Sequence, residues 1–527
     1  MVDLTIVPGD ISLTTTAEEA AEQSFSVTAT YENGAEQENF PLVSWSLSNT
    51  AIGEVDAATG AFVSSTSAGG VTLLTAESDG LIADTTITVI YEEEYEEDGV
   101  PAGTSFKHAK EVGTLTWAYP EDGVALPKNL PEFTFMWKDT GQADAYRLKF
   151  SSSTTSVTVL TTEREWTAPT ELWKVITATN AGGDVTVSLY ADRGDSAAKA
   201  SSIGFRVNRF DAQGAVYYWS VARSGIMRSE VDAAEPEVWF GPLNGTTDDC
   251  VGCHVLSPDG DQVSYAWQKD GESSFRMGLG DVSAESEASV ALPMDSTRDR
   301  GYFSSWSPDG DQIVFSGEGG LNFYDNAGNY LYTLDSSLDL TQPSWSPDGD
   351  HLAAVSATEW YLNEGEFMGG AIVVFEKQPD GTFGGDPTTL VERAHPVNQY
   401  YPMYSPDGDW LVFNRSTNTS NFNEDATLWL VAATGGEPIE LVAANQGPNL
   451  TNSWARWGPI PDDDVLWLAF ASTRDYGTAS TDRDAHVWVS AINTSLAELG
   501  EDPSAAAFWL VQQEVGGKNH APWWSLY

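Results

Sequence analysis

Cationic residues are scarce in this 527-residue chain. Lys and Arg number 25 against 78 Asp and Glu, a formal net charge of -53 at pH 7. A surface of that sign repels phosphate backbones and anionic lipid, so nucleic acid is not an expected partner. Long hydrophobic runs are absent as well: no stretch of about 18 apolar residues offers a membrane-spanning helix. The N-terminal "MVDLTIVPGD" has neither a basic n-region nor an apolar h-region, so a removed export signal is expected rather than a present one. Histidine occurs six times and cysteine twice, so any site built on them has few candidates. Helical periodicity is nearly missing, and only "TAPTELWKVITA" and "SLAELGEDPSAAAFW" suggest a turn or two of helix.

What is present is strand. Most segments alternate apolar and polar residues over five to eight positions and stop at Gly, Asp, Asn or Pro. With 41% hydrophobic residues there is enough apolar surface to offset chain entropy, which excludes disorder. The expected fold class is all-β, with two β-sandwich domains followed by a propeller. The excess of carboxylates suits an extracellular or saline setting. Calcium is possible at Asp-rich turns such as Asp462-Asp463-Asp464 and Asp325–Asn329, although neither completes an EF-hand loop.

Residues 1–91 close on the alternating strand "ADTTITVIY". Trp45, Val55, Asp56, Thr59 and Gly60, in a Trp-bearing strand followed by a "V-D-x-x-T-G" hairpin, carry a resemblance to the bacterial Ig-like group 2 family. The resemblance implies a sandwich exposed outside the cytoplasm. The acidic run 92–103 reads as an extended linker. Residues 104–230 hold enough further strands for a second sandwich, similar to fibronectin III or Ig-like folds, with Trp137 and Trp219 as core residues.

From 235 to 527 the chain repeats. "LSPDGDQVSYAW" starts at Leu256, "WSPDGDQIVFSG" at Trp306, "WSPDGDHLAAVS" at Trp345 and "YSPDGDWLVFNR" at Tyr404; degenerate copies start at Trp457 and Trp524. The starts lie 50, 39, 59, 53 and 67 residues apart, the spacing of propeller blades with loop insertions. In each turn Pro presets the backbone angle, Asp bonds backbone amides and Gly supplies a positive dihedral. This repeat resembles the TolB-like six-bladed propeller family, and the resemblance implies that the strand entering each turn is the innermost of its blade.

Cys250, Cys253 and His254 form a C-x-x-C-H pattern on the first such strand. Two thiols at this spacing can add to haem vinyl groups while the adjacent imidazole takes the iron, so covalent haem c with His254 as proximal ligand is the expected cofactor. The sixth ligand expected first is His520, followed by Met403 and His395, with Met277 and Met294 as alternatives; Arg298 and Arg300 could pair with propionates. Aromatic residues Tyr302, Phe303, Tyr400, Tyr401 and Trp454 fall at matching positions in other copies.

No nucleophile elbow, zinc-protease motif or phosphate loop appears, so no hydrolase or transferase is indicated. The expectation is an extracytoplasmic monohaem cytochrome in electron transfer or redox sensing, with a redox or envelope protein as partner. The alternative is a TolB-like surface or adhesive binding scaffold in which Cys250 and Cys253 form a disulfide.

Overall fold

Alternation along the sequence becomes alternation of burial in the folded chain. Thr155–Thr161 buries every second residue, and Gly70–Ser78 does the same. The computed structural model describes residues 1–240, 251–268, 275–282, 289–291, 301–317, 320–360, 366–420, 423–447, 451–459 and 465–527. Strands dominate it, and the helices among the described residues are Thr170–Thr179 and Thr494–Glu498, both where weak helical periodicity was read. The chain divides into two compact units, Met1–Asp211 and Ala212–Tyr527.

In the first unit Trp45 packs with Leu4, Ile6, Phe25, Phe62, Leu74 and Ile87. The hairpin beside it forms because Asp56 accepts backbone N–H bonds from Ala58 and Thr59 at 3.0 and 2.7 Å. Gly60, at φ +71°, then passes so close to the Trp45 ring that a Cβ would sit 2.7 Å from it. A second core holds Trp137, Trp166 and Trp173, all fully buried, with Phe133 stacked on Trp173 at 5.5 Å. Each such indole removes roughly 200 Å² from water, worth about 5 kcal/mol.

Two boundaries differ from the sequence reading. The acidic run is strand as far as Glu96: Leu81–Glu96 is continuous, and Tyr91–Glu96 pairs in parallel with Thr155–Leu160. Tyr91 and Tyr95 lie on one face of the strand. Tyr91 is buried and Tyr95 meets Trp166 at 6.3 Å, while Glu92, Glu94 and Glu96 are exposed. Period-two burial of the tyrosines outweighs charge repulsion along the run. The second difference is at the C-terminal end of the expected second sandwich, where residues 215–230, with Trp219 among them, belong to the second unit.

That unit contains six four-stranded antiparallel sheets. Five are sequential, with first strands Val251–Leu256, Gly301–Trp306, Asp339–Trp345, Asn398–Tyr404 and Asn452–Trp457. The sixth is assembled from both ends of the unit: Asn519–Ser525 pairs with Ala215–Ser220, which continues to Gly225–Glu230 and Glu237–Phe240. The six first strands are each neighbours of the next, and the last adjoins the first, so the ring closes as a six-bladed propeller.

Each Ser-Pro-Asp-Gly turn is held by a clasp that includes the serine. Its hydroxyl donates to the Asp carboxylate two residues on at 2.5 Å and accepts the N–H five residues on at 2.9 to 3.0 Å. Tryptophans before the turns tie blades together. Trp306 Nε1 donates to the Val255 carbonyl of blade 1, and Trp457 Nε1 to the Met403 carbonyl of blade 4, both at 3.2 Å.

Gly214, at φ +80°, lies against the closing strand, where a Cβ would stand 2.0 Å from the Ser525 carbonyl oxygen. Gly214→Ala is expected to cost about 3 kcal/mol, read as an earlier urea midpoint for the propeller transition. An unchanged midpoint would show that the sixth blade does not depend on this approach.

His486 in blade 5 is fully buried, meets the Trp509 ring at 4.5 Å with the planes tilted by 45°, and is pushed down to about 4 by burial, with Asp482 and Asp484 opposing. Its unfolded value is near 6.5, so between about 6.5 and 4 the unfolded chain binds a proton the folded chain does not. This part of the stability is present above 6.5 and lost as pH falls through that window. The stability difference between wild type and His486→Leu is expected to shrink by about 2 kcal/mol from pH 7 to pH 5, measured by urea unfolding.

Candidate functional site in the axial channel

The first strand of each blade breaks its ladder just before the turn. Register shifts occur between Gly252 and Val255, Thr341 and Ser344, Tyr400 and Met403, and Ser453 and Arg456. The residue that opens each bulge has a left-handed backbone: Cys253, Gln342, Tyr401 and Trp454, joined in blade 6 by Ala521, all at φ +50° to +53°. Left-handed non-glycine residues cost about 1 to 2 kcal/mol each, so a recurrence in five blades marks a repeated constraint. The next residue is proline in three blades, Pro343, Pro402 and Pro522, where a bulge leaves no ladder N–H to lose. His254 occupies this position in blade 1.

In blade 2 the bulge is one residue shorter, and Phe303 takes the place corresponding to Cys253. Cys253, Phe303, Gln342, Tyr401, Trp454 and Ala521 together line one cavity on the axis, of about 40 Å³. Its aromatic wall is continuous, with Phe303 to Tyr401 at 5.5 Å, Tyr401 to Trp454 at 5.9 Å and Trp454 to His520 at 5.1 Å. Gln342 Oε1 accepts the Tyr401 N–H at 2.7 Å.

The structure brings some of the sequence-predicted residues together. Cys253 and His254 line this cavity, and His520 stands one residue before Ala521 at the same rim. His254 is 4% exposed. Burial first, then the neighbouring Arg456 and His520, push its imidazole down to about 3, with the Tyr217 backbone opposing. Burial pushes His520 down to about 4. Both are neutral at neutral pH.

Others are elsewhere. Met403 faces a separate, wider cavity, His395 is exposed between blades 3 and 4, and Met277 is buried in the contact of blades 1 and 2. Cys250, Met294, Arg298 and Arg300 lie outside the described residues, as do Asp462–Asp464. The Asp325 carboxylate is taken up by its own turn, bonding the Ala327 and Asn329 amides and Asn329 Nδ2. Among the described residues no group of three or more His, Cys, Asp or Glu side chains is placed to hold a metal ion.

The described residues do not fit a haem. Both ring nitrogens of His254 are buried without a hydrogen-bond partner, which a metal could supply, but the cavity beside them, about 40 Å³, holds one or two waters, whereas organic ligands of even moderate size need about 300 Å³ or more.

On the side of the Ser-Pro turns the axis opens into a mouth of about 340 Å³. Two residues before each turn serine, or its counterpart, stand Val255, Ser305, Ser344, Met403, Arg456 and Trp523. All but Val255 line the mouth, together with turn prolines such as Pro308 and Pro347 and with Trp306, Trp345 and Trp457. Arg456 lines both cavities, and its guanidinium lies 5.7 Å from the Trp523 ring. Sequence reasoning missed it. The signal was there: in the degenerate copy "WARWGP", Arg stands where two regular copies have serine.

No family model matches the chain, and no curated protein matches it. Among solved structures it is similar to a TolB protein from Agrobacterium tumefaciens, at 14% identity and TM-score 0.34 over 57% of this chain and 89% of that one. It is also similar to oligogalacturonate lyase from Vibrio parahaemolyticus, at 14% and 0.34 over 56% and 74%. A third is the propeller domain of the Trilobed protease from Pyrococcus furiosus, at 11% and 0.29 over 59% and 79%. The propeller assignment itself rests on the six sheets and their closure.

Proposed function

We propose that this chain is an extracytoplasmic binding protein whose ligand enters the propeller axis from the Ser-Pro side. The observation that carries the reading is the mouth of about 340 Å³, a size suited to a small organic molecule, walled by tryptophan and proline with a few hydroxyls. The strong negative charge and the Ig-like and TolB-like resemblances support a place outside the cytoplasm. No chain segment in the described residues is a helix long and apolar enough to cross a membrane.

A plug at the mouth tests this. Fragment-sized aromatic compounds are expected to give saturation-transfer NMR signals with the wild-type protein and to lose them with Met403→Trp, which fills the ring where Met403 stands. Binding that persists unchanged in the plugged variant would place the site elsewhere and overturn the reading.

Covalent haem is the competing reading, favoured by the Cys250-x-x-Cys253-His254 pattern and by the nearness of His254 to His520. The packing opposes it. Protein produced together with haem-maturation machinery is expected to have its unmodified polypeptide mass and no pyridine haemochrome spectrum. A red protein carrying the added mass of one haem, lost in Cys253→Ala, would establish the cytochrome instead.

A further inference from the structure

Resting on the axial mouth as a ligand site, we propose that Arg456 makes it an anion site, receiving the carboxylate of a small organic acid whose apolar body lies against the Trp and Pro wall.

Among the described residues that line either axial cavity, Arg456 is the one charged group at neutral pH, since His254 is neutral. The structure gives it one hydrogen bond, Nη1 to the Ala455 carbonyl at 2.9 Å, and among the described residues no carboxylate within ion-pair distance. Other buried or half-buried arginines spend their donors more fully: Arg193 pairs with Asp139 at 2.6 Å, Arg228 with Glu230 and Glu237 at 2.7 and 2.9 Å, Arg415 donates to Gln399 Oε1 at 2.8 Å, and Arg474 donates to the Ala444 carbonyl and Asn452 Oδ1 at 2.6 and 2.9 Å. In a chain with 78 acidic residues, a half-buried guanidinium on the axis with no carboxylate beside it among the described residues is open to an anion from outside. Burial pushes Arg456 down to about 10, which still leaves it cationic at neutral pH.

Its surroundings suit an arriving carboxylate. Ser305 Oγ accepts the Trp345 N–H at 3.0 Å and Ser344 Oγ accepts the Tyr404 N–H at 3.1 Å, so each hydroxyl has its proton left to donate. The Trp523 ring lies 5.7 Å from the guanidinium carbon, within cation–π range. Among the described residues no acidic side chain lines the mouth to repel an anion. The field of the whole acidic chain does repel anions at a distance, but at physiological salt it decays over about 8 Å, whereas a contact pair inside the channel is screened far less. Association of the acid is therefore expected to quicken as salt is raised.

The test uses the full chain, isothermal titration and matched probes: indole-3-acetate against neutral indole-3-acetamide, and a tryptophan-terminated tetrapeptide with a free against an amidated C-terminus. The wild type is expected to prefer the carboxylate in at least one pair by about tenfold or more, the range for a hydrogen bond to a charged group. The pair showing the preference identifies a free acid or a peptide terminus as the source. Arg456→Met is expected to abolish the preference and Arg456→Lys to keep part of it, with thermal midpoints reporting that the variants fold. Equal affinity for acid and amide in the wild type, or a preference surviving in Arg456→Met, overturns the anion site while leaving the mouth a ligand site. No binding of any probe to the wild type overturns the anion site and counts against the mouth as well.

Discussion

The propeller depends on one pairing made across its whole length. Asn519–Ser525 must find Ala215–Ser220, about 300 residues earlier, before the sixth sheet exists and before the ring has an inside. Each inner strand is still the end strand of its own sheet, but closure turns those six edges toward the axis, where the neighbouring blades protect them. The close approach of Gly214 to Ser525 and the bond from Trp524 Nε1 to the Gln213 carbonyl at 2.9 Å show how tightly the two ends are held.

Closure also fixes what can occupy the axis. Six strands converge, and side chains that would collide are accommodated by bulges that turn one residue per blade into the centre. The left-handed backbone at Cys253, Gln342, Tyr401, Trp454 and Ala521 is the local cost, spread over blades of different composition. The same geometry seals the axis at one level and leaves it open at the next, where the smaller Ser305 and Ser344 stand in adjacent blades and Met403, Arg456 and Trp523 follow round the ring. A sealed level next to an open one makes a pocket with a floor, and Arg456 lies at that floor because it lines both.

The turns and blade count were legible because Pro, Asp and Gly each have a mechanical role at a fixed offset, and the structure adds the serine clasp to them. The closing blade was not legible: "AVYYWSVARSG" carries no turn signature and precedes the repeat, so its strands read equally well as part of the sandwich before it. The acidic run misled for a related reason, since charge counting hides the two tyrosines that give it a buried face. At the site, the offset from the turn, with the propeller resemblance, put Cys253, His254 and His520 at one end of the axis; in the structure Cys253 and His254 line the small cavity and the His520 ring meets Trp454. It could not show that Met403 belongs to the next level, because a bulge between Tyr400 and Met403 changes which residues share a height. Arg456 escaped notice because a single residue in a degenerate copy has no motif, and its meaning comes from its place on the axis with no carboxylate beside it among the described residues.

The central claim is that the axis holds a small anionic ligand at Arg456 and no prosthetic group at Cys253. A crystal structure of protein purified from its native source, without added ligand in the crystallisation, tests it most directly. The account predicts ordered non-protein density within hydrogen-bond distance of the Arg456 guanidinium and an unmodified Cys253 thiol. A porphyrin bonded to Cys253, with the aromatic rim displaced around it, would contradict it.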